Sequence, residues 1–152
     1  MGDRLASLRV ARGALAASSD VVVAASSAVY ETAPQGAVTD QADFLNACLE
    51  IETELDPEAL LELAKTLERK LGRAQPAERH GPRSIDIDVL LLGDAPYRSE
   101  RLTLPHPEIL RRRFVLEPLL DIDPSLELPD GTRLAAVAPL LADQRVERVD
   151  AL

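Results

Sequence analysis

Leu5, Leu8, Arg12 and Leu15 recur at helical spacing, with Ala11, Ala14 and Ala16 nearby, and predict an amphipathic helix over residues 2–17. Val21 to Tyr30 is rich in Val and Ala and predicts a strand buried on both faces. Residues 31–42 contain Pro34 and Gly36 among polar residues and form a loop. From Phe44 to Thr53 the pattern alternates. Leu45, Ala47, Leu49 and Ile51 fall on a helix-facing side, and Phe44, Asn46, Cys48, Glu50 and Glu52 on the other. Asp56-Pro57 is a helix start, Leu60, Leu63, Leu67 and Leu71 its stripe, and Gly72 its end. Residues 73–83 are a charged loop with Gly and Pro; Ile85 to Leu92 predicts a strand that stops at Gly93-Asp94. A hairpin-like stretch to Leu104, a helical turn after Pro105-His106-Pro107, an apolar run from Phe114 to Leu120 and a last helix from Thr132 to Ala142 follow. Helices segregated from mainly antiparallel strands make an α+β fold, and no repeat or linker divides residues 1–152, so one domain is expected.

Composition narrows the partners. The chain is 46% hydrophobic but only 3% aromatic, so Leu, Val, Ile and Ala must build the core. A net charge of −9 disfavours nucleic acid and anionic membrane. The charge is uneven. Asp40 to Glu68 holds nine acidic residues and one basic residue, Lys65, whereas Arg69 to Arg83 holds five basic residues and one acidic residue, Glu78. An acidic protein with a local cationic segment suits a small anionic ligand; the same segment could equally be a solvated loop. Cys48 is the one cysteine, which excludes an internal disulfide and a cysteine-based metal cluster. With no signal core and no apolar run of spanning length, a reducing cytoplasmic setting is expected.

The chemistry concentrates in Arg83-Ser84-Ile85-Asp86-Ile87-Asp88-Val89-Leu90. On a strand, Ile85, Ile87 and Val89 turn inward together, and Asp86 and Asp88 emerge on the opposite face, roughly 7 Å apart. Two adjacent carboxylates repel one another and call for a cation, and oxygen-only ligands suit Mg²⁺ completed by phosphates and water. Taken alone, Asp-x-Asp is more often the ordinary outer face of a strand. Its setting is unusual. Arg73, Arg79 and Arg83 precede it on the loop, and guanidinium groups grip phosphate oxygens bidentately. Metal on one side and arginine on the other is the arrangement that phosphoryl transfer needs. No Walker loop and no protein-kinase signature is present. A third group, Arg101 to Pro107 with His106, leads to Arg111-Arg112-Arg113-Phe114; by itself it reads as a structural histidine and a solvated helix end.

The run Arg79-His80-Gly81-Pro82-Arg83-Ser84-Ile85-Asp86-Ile87-Asp88-Val89-Leu90 resembles the signature of the 6-hydroxymethyl-7,8-dihydropterin pyrophosphokinases. Tyr30-x-Thr32, Asp40-Gln41-x-x-Phe44-Leu45-Asn46, Leu60-Leu61 to Glu68, Leu71-Gly72-Arg73, Leu104-Pro105-His106-Pro107 and Phe114-Val115-Leu116-x-Pro118-Leu119 extend the resemblance along nearly the whole chain. It implies a monomeric enzyme with a ferredoxin-like sheet that uses ATP as co-substrate and two Mg²⁺ ions. The reaction it implies is attack by the pterin hydroxymethyl oxygen on the β-phosphorus, with AMP leaving. Asp86 and Asp88 would hold the metals. Arg73 and Arg83 would act as catalytic phosphate contacts. Glu68, Arg101, Thr103, His106 and Arg112 would hold ATP. Thr32, Ala33, Pro34, Phe44, Asn46 and Phe114, with Asp86 beside them, would form the pterin pocket. Phe44 and Asn46 share one strand face, so one can stack on a flat ring while the other bonds its edge. Two other readings fit the same residues: a nucleotide- or pterin-binding protein without turnover, and an unrelated Mg²⁺-dependent phosphohydrolase.

The sequence departs from the family pattern at its start. Met1-Gly2-Asp3-Arg4 sits partway through the turn that follows the family's opening strand, so the first strand is expected to be missing here. His80 replaces a frequent aromatic, Gln75 a frequent second arginine, and Ala33 a frequent proline.

Overall fold

A computed structural model of the chain describes residues 2–32, 44–74 and 85–152. Ala33, Pro34, Gln75, Arg79, His80 and Arg83 lie outside these, as does the side chain of Arg73. The architecture is α+β, with every paired strand antiparallel. Helix α1 spans Gly2–Ala17 and α2 Pro57–Ala74. Strands β1 (Val21–Ser26) and β2 (Ala28–Thr32) face β4 (Leu49–Thr53) and β3 (Phe44–Asn46) respectively.

The two long runs read as single strands are each broken once, at matching points. Cys48 N–H donates to the hydroxyl of Ser27 (2.8 Å), and Ser27 N–H donates to the Cys48 carbonyl (2.9 Å). A side chain has taken a backbone acceptor's place, the register shifts, and the ribbon divides into two sheets. The expectation that Val21 to Tyr30 is buried on both faces holds only for its second half. Ala28, Val29 and Tyr30 are buried, but Val22 is 61% exposed because β1 turns one face to solvent.

Helix α2 begins as expected. Asp56 accepts from Ala59 N–H (2.8 Å) and Pro57 opens the first turn, although the helix runs past Gly72 to Ala74. It buries Leu60, Leu61, Ala64 and Leu67, of which Leu60 and Leu61 pack with Val21, Val89, Leu102 and Leu104. A second core surrounds α3 (Arg113–Ile122), where Leu116 and Leu119 meet Cys48, Ile109, Leu128 and Leu134. The short hairpin of β5 (Tyr97–Arg98) and β6 (Thr103–Leu104), which follows the positive-φ Gly93, packs Tyr97 and Leu104 on the first core.

Three elements differ from expectation. Residues 85–92 form no ladder among the described residues, so they are not a strand here. Ile87 N–H bonds a side chain and the Leu90 carbonyl accepts from His106 N–H (2.9 Å) instead. The last helix is a single turn, α4 (Leu134–Val137), continued as a 3-10 turn through Pro139, which cannot supply an α-helical donor. Val146–Ala151 forms an unexpected strand, β7, on the free side of β2. No described helix is long and apolar enough to cross a membrane.

Beneath β2, the hydroxyl of buried Tyr30 bonds the Asp121 carboxylate, which also accepts from Ala28 N–H (3.1 Å). Burial first, and then Asp121, push the phenol pKa far upward. Tyr30→Phe is expected to lower the unfolding free energy by about 1 kcal/mol, the usual net worth of such a bond, read by urea denaturation; an unchanged midpoint would contradict the assignment. Cys48, lodged nearby, has its thiol pushed up to about 12 by burial and offers no thiolate at neutral pH.

Candidate active site

Along residues 85–89 the burial alternates as the period of two requires. Asp86 and Asp88 are exposed, Ile85 and Ile87 half-buried, and Val89 is sealed into the α2 core. The pair is held from beneath. Glu68, on the last turns of α2, accepts from the N–H of Ile87 (2.5 Å), the residue between the two aspartates, and its other oxygen pairs with Lys65 (3.6 Å). Glu68 thereby fixes the backbone from which both carboxylates project.

Asp88 opens onto a cleft of about 280 Å³, lined also by Lys65, Glu100, Arg101, Thr103 and His106, over a floor of Leu61, Val89 and Leu102. This brings together an acidic group and three of the seven residues expected around ATP and its phosphates. Helix α2 contributes Leu61 and Lys65, and the β5–β6 hairpin with the segment after it contributes Glu100 to Thr103 and His106. His106 Nδ1 accepts from Glu108 N–H (3.1 Å), so in the neutral ring the proton sits on Nε2, the nitrogen left to donate into the cleft. The Leu104–Pro105 peptide, which leads into His106, is cis. Arg101 is bracketed by Glu62 and Glu58.

Arg112 stands just beyond. Its Nε bonds Glu108 (2.6 Å), and its guanidinium lies 5.6 Å from the centroid of the Phe114 ring. Phe114 is in the first turn of α3, a helix that packs against β2 and β3. On those strands Thr32 sits opposite Phe44, and Tyr30 opposite Asn46. Thr32 is buried, whereas Phe44 is 50% exposed, an unusual position for an aromatic ring in a protein with so few. A larger open cleft, about 450 Å³, runs between Ser26–Ala28 and the end of β7 and is lined by none of the residues nominated for chemistry.

Lys65 and Glu100 were not foreseen as cleft residues. The one available signal was that Lys65 is the sole cation in an acidic stretch. Among the described residues no three acidic, His or Cys side chains cluster as a metal cage. The donor set is instead two exposed carboxylates, which fits a hard divalent cation whose remaining ligands come from phosphate and water.

Comparison with known proteins adds a family. Residues 1–124 match the family model of 7,8-dihydro-6-hydroxymethylpterin-pyrophosphokinase. The chain is 45% identical over 150 residues to the 2-amino-4-hydroxy-6-hydroxymethyldihydropteridine pyrophosphokinase of Methylorubrum extorquens, covering 99% of this chain and 93% of that one. It is 43% identical over 127 residues to the protein of the same name from Bacillus subtilis, covering 84% and 75%. It is also 41% identical over 122 residues to a mitochondrial folate synthesis bifunctional protein of Pisum sativum, covering 80% of this chain and 23% of the plant protein.

Proposed function

The chain belongs to the 7,8-dihydro-6-hydroxymethylpterin-pyrophosphokinase family and transfers pyrophosphate from ATP to the hydroxymethyl group of 6-hydroxymethyl-7,8-dihydropterin in folate biosynthesis, and from that premise we propose how its own residues divide the work. The observation that carries the proposal is the shared exposure of Asp86 and Asp88, with Asp88 in the same cleft as Arg101, Thr103 and His106.

ATP lies in this cleft, with Arg101, Thr103 and His106 Nε2 donating to it and Arg112 closing its far end. Glu68 acts from below, by fixing the Asp86–Asp88 backbone. Asp86 and Asp88 would hold two Mg²⁺ ions, which would supply positive charge to offset that of the transferring group. Arg73, in the last turn of α2, and Arg83 bring guanidinium charge to the phosphates. The pterin lies between Phe44 and Phe114, with Asn46 and Thr32 at its polar edge, Ala33 and Pro34 beside them, and Asp86 toward the hydroxymethyl group. That oxygen attacks the β-phosphorus, the bond to the α-phosphate oxygen breaks, and AMP departs. No side chain need remove the proton ahead of the transfer, since positioning and electrostatics supply most of the catalysis. We read the strand pieces as parts of a ferredoxin-like sheet in a single domain of a monomeric, cytoplasmic enzyme. The antiparallel pairing and the helices packed on the strands support that arrangement.

The test is AMP release with ATP, Mg²⁺ and the reduced pterin together. One AMP per pterin pyrophosphate is expected. Binding without AMP, or ATP hydrolysis in the absence of pterin, would replace this reading with one of the two alternatives. Stripping divalent cations with EDTA is expected to cut turnover at least about 10³-fold, with recovery on adding Mg²⁺. Full activity in EDTA would remove the metal role from Asp86 and Asp88.

A further inference from the structure

Glu58 does not itself line the cleft, yet a chain of hydrogen bonds leads from it to Arg101, which does. It sits in the first turn of α2, where the helix dipole favours a carboxylate. Its Oε2 accepts from the Tyr97 hydroxyl and from Ser99 Oγ, both at 2.6 Å. Ser99 Oγ in turn accepts from the N–H groups of Arg101 and Leu102, both at 3.2 Å, and Ser99 N–H donates to the Leu102 carbonyl (2.8 Å). These bonds tie the turn between β5 and β6 to the start of α2. The bonds from Ser99 and Tyr97 hold the Glu58 carboxyl below its ordinary range, in that order of effect. At the other end of the same side chain, Arg101 pairs with Glu62, one helical turn on, and reaches Glu58 at 3.8 Å.

Two facts make this more than a surface ion pair. Leu102 and Leu104 are buried in the core, so β6 cannot drift as a whole. The turn before it, which carries Arg101, has no such anchor of its own; Arg98, Glu100 and Arg101 are all exposed. Its position is set by Glu58, Tyr97 and Ser99. An unrestrained arginine would pay rotamer entropy on meeting a phosphate; one held at backbone and side chain has lost that freedom beforehand.

We propose that Glu58 is a positioning residue for nucleotide binding: through Ser99 and Tyr97 it anchors the β5–β6 turn on α2 and so presents Arg101 to ATP. The inference rests on the placement of Arg101 at the nucleotide, and the experiment separates the two.

Steady-state AMP release is measured for Glu58→Ala, Glu58→Gln, Arg101→Ala and the double variant Glu58→Ala/Arg101→Ala, with Tyr97→Phe as a milder change that deletes one donor. Glu58→Ala is expected to raise KM for ATP about tenfold, the usual effect of losing hydrogen bonds to a charged acceptor, and to leave kcat and the pterin KM within about twofold. Glu58→Gln keeps an acceptor oxygen and is expected to recover most of that loss; Tyr97→Phe should cost about threefold. In the Arg101→Ala background Glu58→Ala should add less than about threefold, because both act through one group. A purely structural Glu58 would lower the melting temperature and the active fraction while leaving the ATP KM alone. An unchanged or lower ATP KM in Glu58→Ala, or an equal tenfold rise in both backgrounds, overturns the proposal while Arg101 keeps its place. If Arg101→Ala itself leaves the ATP KM unchanged, the placement of Arg101 has failed and this inference falls with it.

Discussion

Asp88→Ala is expected to lower kcat/KM for AMP release by at least about 10³-fold, with the fold intact. The carboxylate is exposed, and among the described residues no hydrogen bond or ion pair engages it, so its removal breaks no internal contact. The residues on either side, Ile87 and Val89, are the ones that pack inward, and Val89 alone of the three is buried. Stability should therefore move by no more than about 0.5 kcal/mol, as at surface sites generally. It could even rise, since Asp86 would lose a like-charged neighbour. The contrast with chemistry is the point. ATP would carry several negative charges past a pair of exposed carboxylates in a protein of net charge −9, and that approach is unfavourable unless a cation lies between. A residue whose removal costs the fold nothing and turnover nearly everything would be there for the substrate. Asp94→Ala, which removes an equally exposed carboxylate at the following turn, is the control and should leave turnover unchanged. Normal AMP release from Asp88→Ala would take Asp88 out of the mechanism.

How far the sequence revealed these features depends on how local their causes are. Helix α2 was legible because each of its signals lies within one turn of its effect: Asp56 caps, Pro57 opens, and leucines repeat along the buried side. The Asp86–Asp88 exposure was legible for the same reason, being a consequence of period two. The breaks at Ser27 and Cys48 were not. They arise because one hydroxyl reaches a backbone donor 21 residues away, and a serine inside an apolar run gives no sign of that. Strand β7 was missed because Val146-Glu-Arg-Val-Asp-Ala has only two large apolar residues. It holds its place by backbone pairing with β2 and by Arg9, which bonds the Ala151 carbonyl (2.9 Å) and meets Asp150 at 3.7 Å. The anchoring of Arg101 by Glu58 spans about forty residues and was likewise invisible. Residues 85–92 show the converse. Their pattern is that of a strand, but a strand is defined by its neighbour, and none pairs with them among the described residues.

The pterin side yields the second large effect. Phe114→Ala is expected to raise KM for the pterin roughly 10²-fold, and Phe44→Ala roughly tenfold, from loss of stacking on a flat heterocycle worth about 1–3 kcal/mol per ring. Phe114 carries the larger share because its position is the better determined. It stands in the first turn of a helix whose Leu116 and Leu119 are locked in the core, whereas Phe44 projects half-exposed at the end of a three-residue strand. A preset ring loses less freedom on binding and returns more affinity. The two substrates should also prove coupled through this residue. Arg112, which the proposed arrangement assigns to ATP, rests over the Phe114 ring, and removing that face should raise the ATP KM by about threefold, the worth of an exposed cation–π contact. Phe114→Leu separates the two contributions, since it restores bulk without a π face: packing should recover while both KM values stay raised. A pterin KM unmoved by Phe114→Ala would place the pterin elsewhere. A rise confined to the pterin, with the ATP KM unaltered, would show that the Arg112 contact carries no coupling between the two sites.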